Sequence, residues 1–425
     1  MKKNIKKIIS VVAATATITA ILAGCGSTSK KSSDGNVTIT YAIWDKNQEP
    51  GMTEIAEAFE EKNPGIKVNV EVTPWDQYWT KLEAGASAGT MPDVFWMHSN
   101  QQSKFASNNV LLDITDKIKV SSIVDMNMFP AELVDLYKND GKNYAIPKDI
   151  DTIGLWYNKT MFDEAGISYP DETWTWNTLL DAAKKLTNPD KGIYGLAAPL
   201  NLQEGIDNFI YQNGGEVLSQ DKKESLWDTP EVKEAVQWYV DLSLKENVSP
   251  TQNQFSENSS VSFFESGKTA MSLHGSWMLS EFLSNEYVKE NCNVAVLPKQ
   301  KKQASIFNGL GNAIAAKTAH PDEAWKFVEF LGSEEANKIQ AKSGAAIPAY
   351  EGTSEEWVNL SKDFNLKVFT DMLDYAVIRP YSKETVKWQT IEEQTLTKAF
   401  TGEVSVSDIC DEVDKKVTEV LQAEN

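Results

Sequence analysis

The chain has 425 residues, 41% of them hydrophobic and 24% charged, with a formal net charge of −20 at pH 7. That length exceeds one comfortable hydrophobic core and predicts two domains. So acidic a chain is repelled by nucleic acid and by anionic membrane surfaces, which excludes both as partners of the folded body. Arg379 is the one arginine, and arginine is the usual fork for carboxylate and phosphate, so a phosphorylated or polyanionic ligand is disfavoured.

Residues 1–24 read as a secretory signal, with Lys2, Lys3, Lys6 and Lys7 ahead of an apolar or small stretch from Ile8 to Ala23. The stretch is shorter than the ~18 apolar residues of a spanning helix. Its end, Leu22-Ala23-Gly24-Cys25, resembles the lipobox of bacterial lipoproteins, in which the Cys becomes the lipid-modified first residue. Two acyl chains on Cys25 suffice for stable attachment, so this reading has the protein exported and tethered by lipid alone. The alternative is an uncleaved signal anchor. Without the four signal lysines the formal charge becomes −24. Residues 25–36 carry Ser, Lys, Gly and Asp and no large apolar residue, which predicts a flexible tether.

The globular body begins at Val37. Val37, Ile39, Tyr41 and Ile43 alternate with small or polar residues, as a strand requires. Met52, Ile55, Ala56 and Phe59 recur at helical spacing, and Asn63-Pro64-Gly65 ends that helix. Ile66, Val68, Val70 and Val72 give a second strand, Trp75, Tyr78, Trp79 and Leu82 a second helical stripe, and Val94 to Met97 a third strand. This β-α-β-α-β order predicts a mostly parallel sheet covered by helices. Beyond residue 150, Trp176, Leu179, Leu180 and Ala183 share a helical face. Thr229-Pro230 reads as an N-cap with Pro at N1, leading into Val232, Ala235, Val236 and Tyr239. A late helix carries Ala324, Phe327, Val328 and Leu331. Trp156, Trp176, Trp238 and Trp325 fall on apolar faces and are expected in the core.

Ligands of open α/β sheets bind beyond the carboxyl ends of strands and at domain interfaces. Trp44-Asp45 follows the first strand, Trp96 and His98 end the third, and Asp149 and Asp151 precede the apolar run at 153–157. Trp277 follows a probable strand at 269–273. Trp offers a flat apolar face and Asp offers paired acceptors for hydroxyls, and together they suit a sugar. The same residues in an acidic chain also suit a polyamine or another organic cation. An exported carbohydrate-active enzyme, with Asp149 and Asp151 as its acids, is the reading from a different class. His98, His274 and His320 lack metal-site spacing, and no cofactor or metal is called for. Cys292 and Cys410 can pair in an oxidising compartment or stay free and buried.

The ordered set YAIWD at 41–45, MPDVFWMHSN at 91–100, YAIPKDIDTIGLWYNKTMFDEAGI at 144–167, TWTWNTLLDAAKKLT at 173–187, FFESGKTAMSLHGSW at 263–277, NGLGNAIAAKTAHPDEAWKFVEFLGSEEA at 308–336 and GAAIPAY at 344–350 covers the body. It resembles the solute-binding lipoproteins of ATP-binding-cassette importers, in the sugar-binding branch. The resemblance implies a type II periplasmic-binding-protein-like α/β fold, with two lobes of mostly parallel sheet joined by a hinge crossed more than once. It implies lobe 1 at 37–147 and 304–350, lobe 2 at 152–303 and 351–425, and a hinge near 147–152, 299–306 and 345–352. Trp44, Asp45, Trp96, Asp151, Trp277 and Trp388 match ligand contacts by position, and His98, Asp149, Asn308, Gly309 and Arg379 match more loosely. Ser99 stands where maltose-type proteins carry an acidic residue, so maltose is not implied. The function implied is capture of a sugar outside the cell and delivery to membrane permease subunits, by a monomer and without catalysis.

Overall fold

The computed structural model describes residues 36–424. The signal, Cys25 and the tether to residue 35 lie outside the described residues. Alternation along β1 (Val37–Ile43) buries Ile39, Tyr41 and Ile43 completely. β1 pairs in parallel with β2 (Ile66–Val72) and β3 (Val94–Met97). Between these strands, α1 (Glu49–Lys62) buries Met52, Ile55, Ala56 and Phe59 on one stripe, and α2 (Trp75–Ala88) buries Tyr78, Leu82 and Gly85. Strand Gly311–Ile314 then enters antiparallel between β3 and Ala145–Pro147, closing a five-stranded sheet in which it alone runs against the others.

The second sheet departs from the parallel expectation. Its central strand, Ile153–Asn158, pairs antiparallel with both Met271–Gly275 and Cys292–Ala295. The register explains why. Ile153 lies opposite Gly275, so the central strand carries the chain away from the hinge and its neighbours bring it back. Parallel bridges Tyr194–Thr269 and Ala197–Ser272 extend the edge. Trp156 and Trp176 are fully buried in this half, and Trp238 stacks on Phe209 at 5.3 Å. Trp325 is buried in the other half. Cys292 and Cys410 are both free and buried.

Three short pairings lie where the chain passes between the halves. Asp149–Ile150 pairs with Ile347–Pro348, Asp151 bridges Asn308, and Ser305–Phe307 runs parallel to Ala376–Ile378. Helix Thr385–Phe400 packs on both α3 (Ser99–Ser107) and helix Pro230–Leu244, so it touches both halves.

Candidate functional site

A cleft of about 600 Å³ opens between the two halves. Its first wall is built at the exits of β1 and β2. Trp44, partly exposed, meets Trp75, Tyr78 and Trp96 edge-to-face, with centroids 5.0–5.1 Å apart. Such edge-to-face contacts fix the ring in place. Asp45 accepts hydrogen bonds from the Asn47 amide at 2.8 Å and from Gln48 Nε2 at 2.9 Å, which orients its carboxylate.

The floor comes from the hinge. His98 Nδ1 lies 2.8 Å from Asn100 Oδ1 and its other ring nitrogen lies 3.4 Å from Asn308 Nδ2, an arrangement that puts the ring proton on Nδ1. Burial, and then the neighbouring Arg379 cation, lower its pKa to about 3, so the ring is neutral. Asp151 accepts from Gln203 Nε2 at 3.4 Å, and Gln203 Oε1 accepts from Arg379 at 2.8 Å. Burial, and then the Asp149 charge, push the Asp151 carboxyl well above the ordinary range. Asp149 is held by Lys148 at 2.7 Å and by the Leu310 amide at 2.7 Å.

The second wall follows strand Met271–Gly275. Trp277 folds its ring back over Gly275, where a Cβ would come within 2.0 Å of the ring, so only glycine leaves room for this rotamer. The Gly275 amide donates to Glu204, which stands 3.4 Å from the buried His274.

Of the residues singled out from the sequence, Trp44, Asp45, His98, Asp149, Asp151, Trp277 and Arg379 line one cleft. Trp96 lies a layer deeper. It is fully buried, donates its indole N–H to Tyr41 at 2.6 Å and supports Trp44 from behind. His98, two residues on and just past the end of the strand, reaches the exit that Trp96 does not. Trp388 is also buried, donating to Ser382 at 2.8 Å. Its helix presents Gln389 and Glu393, one turn apart, to the cleft instead. Asn308 is buried behind His98. Gly309 stands behind the floor, where a Cβ would come within 2.0 Å of the Asp149 carbonyl oxygen. Its role there is close backbone approach between the segments around Asp149 and Leu310.

Sequence reasoning missed Trp75, Gln48, Asn100, Gln203, Glu204 and Glu281, all of which line the cleft. Trp75 was findable, because it follows β2 as Trp44 follows β1. Gln203 and Glu204 were not, because they sit on a single π-helical turn, Leu202–Ile206, too short to show a periodicity.

A model of the family described as bacterial extracellular solute-binding protein matches residues 45–338. A putative ABC transporter periplasmic-binding protein of Escherichia coli K12 is 27% identical over 353 residues, 80% of this chain and 78% of that protein. The galactooligosaccharide-binding protein of Bacillus subtilis 168 is 24% identical over 413 residues, 93% of each chain. A Listeria monocytogenes ABC substrate-binding protein, solved in complex with cycloalternan, is 26% identical with a TM-score of 0.85, covering 91% of this chain and 99% of that one.

Proposed function

We propose that this chain, which belongs to the bacterial extracellular solute-binding proteins, captures a sugar or oligosaccharide between its lobes and hands it to the permease of an ABC importer. The observation that carries this is the pairing of indole faces with hydrogen-bonding edges on both walls, Trp44 and Trp75 beside Asp45, and Trp277 beside Glu204. Ligand bridging the walls stabilises the closed state by its differential affinity. No bond is broken. Both oxygens of Asp149 are already engaged, by Lys148 and by the Leu310 amide, which disfavours Asp149 as the second acid of a glycosidase pair with Asp151. The Asp151–Asn308 bridge and the pairing of Gly311–Ile314 into the first sheet support a middle hinge crossing near 308–310 rather than 299–306, beside those expected near 147–152 and 345–352.

In the full chain, a neutral sugar that binds should stabilise by about 2.7 kcal/mol at a hundredfold excess over Kd. Its affinity should be nearly independent of salt. A thermal-shift panel of mono- and oligosaccharides checks both. One observation favours an organic cation instead. Glu281 and Asp45 face each other from opposite walls, and burial, then Glu265 and Asp45, raise the Glu281 carboxyl. Neither carboxylate has a salt-bridge partner among the described residues. A spermidine shift that salt abolishes, with the whole sugar panel silent, would decide for the cation.

Attachment through a lipid on Cys25 belongs to the same proposal, supported by the lipobox-like LAGC at 22–25. Cys25→Ser should fold normally and appear in the medium or periplasm. Retention on membranes after carbonate washing would refute the lipid anchor.

A further inference from the structure

We propose that Lys148 is a positioning residue that ties the hinge to the ligand-facing wall and holds Asp45 and Trp44 in the geometry that receives the ligand. Lys148 is 2% exposed. Its backbone amide donates to the Leu310 carbonyl at 2.7 Å, and its carbonyl accepts from Gln340 Nε2 at 3.1 Å and from the Ala349 amide at 3.3 Å. One residue thereby touches all three chain crossings.

Its side chain runs the other way, into the first wall. Nζ donates to Asp149 Oδ2 at 2.7 Å and to Gln48 Oε1 at 3.0 Å, and it stands 4.3 Å from the centre of the Trp96 ring. An ammonium can only donate, so it must meet the oxygen of the Gln48 amide. That choice turns Gln48 Nε2 toward Asp45 Oδ2, at 2.9 Å. The polarity of the relay from Lys148 through Gln48 to Asp45 is therefore set at the hinge end. The second arm is the cation on the Trp96 ring, and Trp96 backs Trp44 edge-to-face at 5.0 Å.

Stability alone does not account for this group. A buried ion pair is often no more stabilising than an apolar pair of the same volume. What an apolar pair lacks is direction: it would leave the Gln48 amide free to flip and Asp45 Oδ2 without its donor, with only the Asn47 amide still fixing the carboxylate at Oδ1. Through Asp45 and Trp44 the proposal rests on the sugar-capture reading, but its first test needs no ligand.

Hydrogen–deuterium exchange on the full chain, without ligand, compares wild type with the Lys148→Met/Asp149→Leu variant, which leaves no lone buried charge. Exchange over residues 44–49 should rise several-fold, while helix 230–244 stays as in wild type. A folded variant with unchanged exchange over 44–49 overturns the proposal. If that variant does not fold, Gln48→Met, which leaves the ion pair in place, must raise exchange over the same segment, and unchanged exchange there is equally decisive. The second readout is a double-mutant cycle in affinity, with cycloalternan and galactooligosaccharides as probes. Gln48→Met should weaken binding roughly tenfold in wild type and little in an Asp45→Ala background, because both act on one contact. Additive losses would mean that Gln48 does not act through Asp45, which breaks the relay from Lys148. If neither probe binds wild type, these sugars fail as ligands, and the exchange result still decides the role of Lys148.

Discussion

Trp277→Ala and Trp176→Ala should fail in opposite ways. Trp277 is only partly buried, lines the cleft and rests on Gly275. If its ring stacks on a sugar, truncation removes one face of the site. Aromatic stacking losses of ~1–3 kcal/mol translate into an affinity roughly 5- to 150-fold weaker. The empty protein should barely notice, because that ring meets solvent when no ligand is bound. Trp176 is the reverse case. It is 1% exposed, tilts over Trp238 at 4.6 Å and donates to Gln212 Oε1 at 2.7 Å. Gln212 in turn donates to the Ala304 carbonyl at 3.0 Å, so the truncation leaves both a cavity and an orphaned acceptor. A loss of ~3–5 kcal/mol is expected, with affinity unchanged in the folded fraction. Urea unfolding and titration calorimetry on both variants separate the cases. An empty-state loss for Trp277→Ala as large as the control's, with affinity intact, would make Trp277 a packing residue.

The contrast between those two tryptophans shows what the sequence could and could not tell. Strand and helix periodicity is a local property, and it identified the elements of the first half and the core face that Trp176 occupies. The rule that ligands meet strand exits was also local, and it picked out Trp44, Asp45, His98 and Trp277. It overreached by one layer at Trp96, since depth along a strand depends on what lies across it, here Trp44 and Lys148. At residue 388 the likeness was off by one position, and on a helix one position is about 100° of rotation. That turns Trp388 into the core and Gln389 into the cleft. The direction of the second sheet was hidden for a different reason. Antiparallel return depends on where the long connections around residues 160–270 and 276–291 re-enter, which no local pattern records. Lys148 was invisible as a functional candidate because a lysine beside Asp149 in sequence reads as an exposed pair until burial is known.

Asp207→Asn should stabilise the protein at pH 8 and do little near pH 4. Asp207 is 4% exposed, and its Oδ1 has no hydrogen-bond partner among the described residues. Burial pushes its carboxyl up to about 7, with Arg379 pulling the other way and Glu393 adding to the rise. The unfolded chain releases this proton near the ordinary ~3.9, so between roughly pH 4 and 7 the native state binds the proton and the unfolded state does not. Stability from this group is therefore present below the unfolded value and is lost as pH rises through about 7. Asparagine keeps the shape of the protonated acid and never ionises, so it removes that fall. A shift of this size corresponds to a gain on the order of a few kcal/mol at pH 8. Arg379 keeps Gln203 as its hydrogen-bond partner and stays near Asp151 and Glu393, so the cation is not stranded by the change. Urea midpoints of wild type and variant across pH 4 to 8 check the sign directly. Parallel curves would mean that Asp207 titrates in the native state as it does in the unfolded chain. A variant weaker than wild type at pH 8 would mean that ionised Asp207 is held by Arg379 more strongly than burial opposes it, making the pair a clamp beneath the cleft rather than a strained acid.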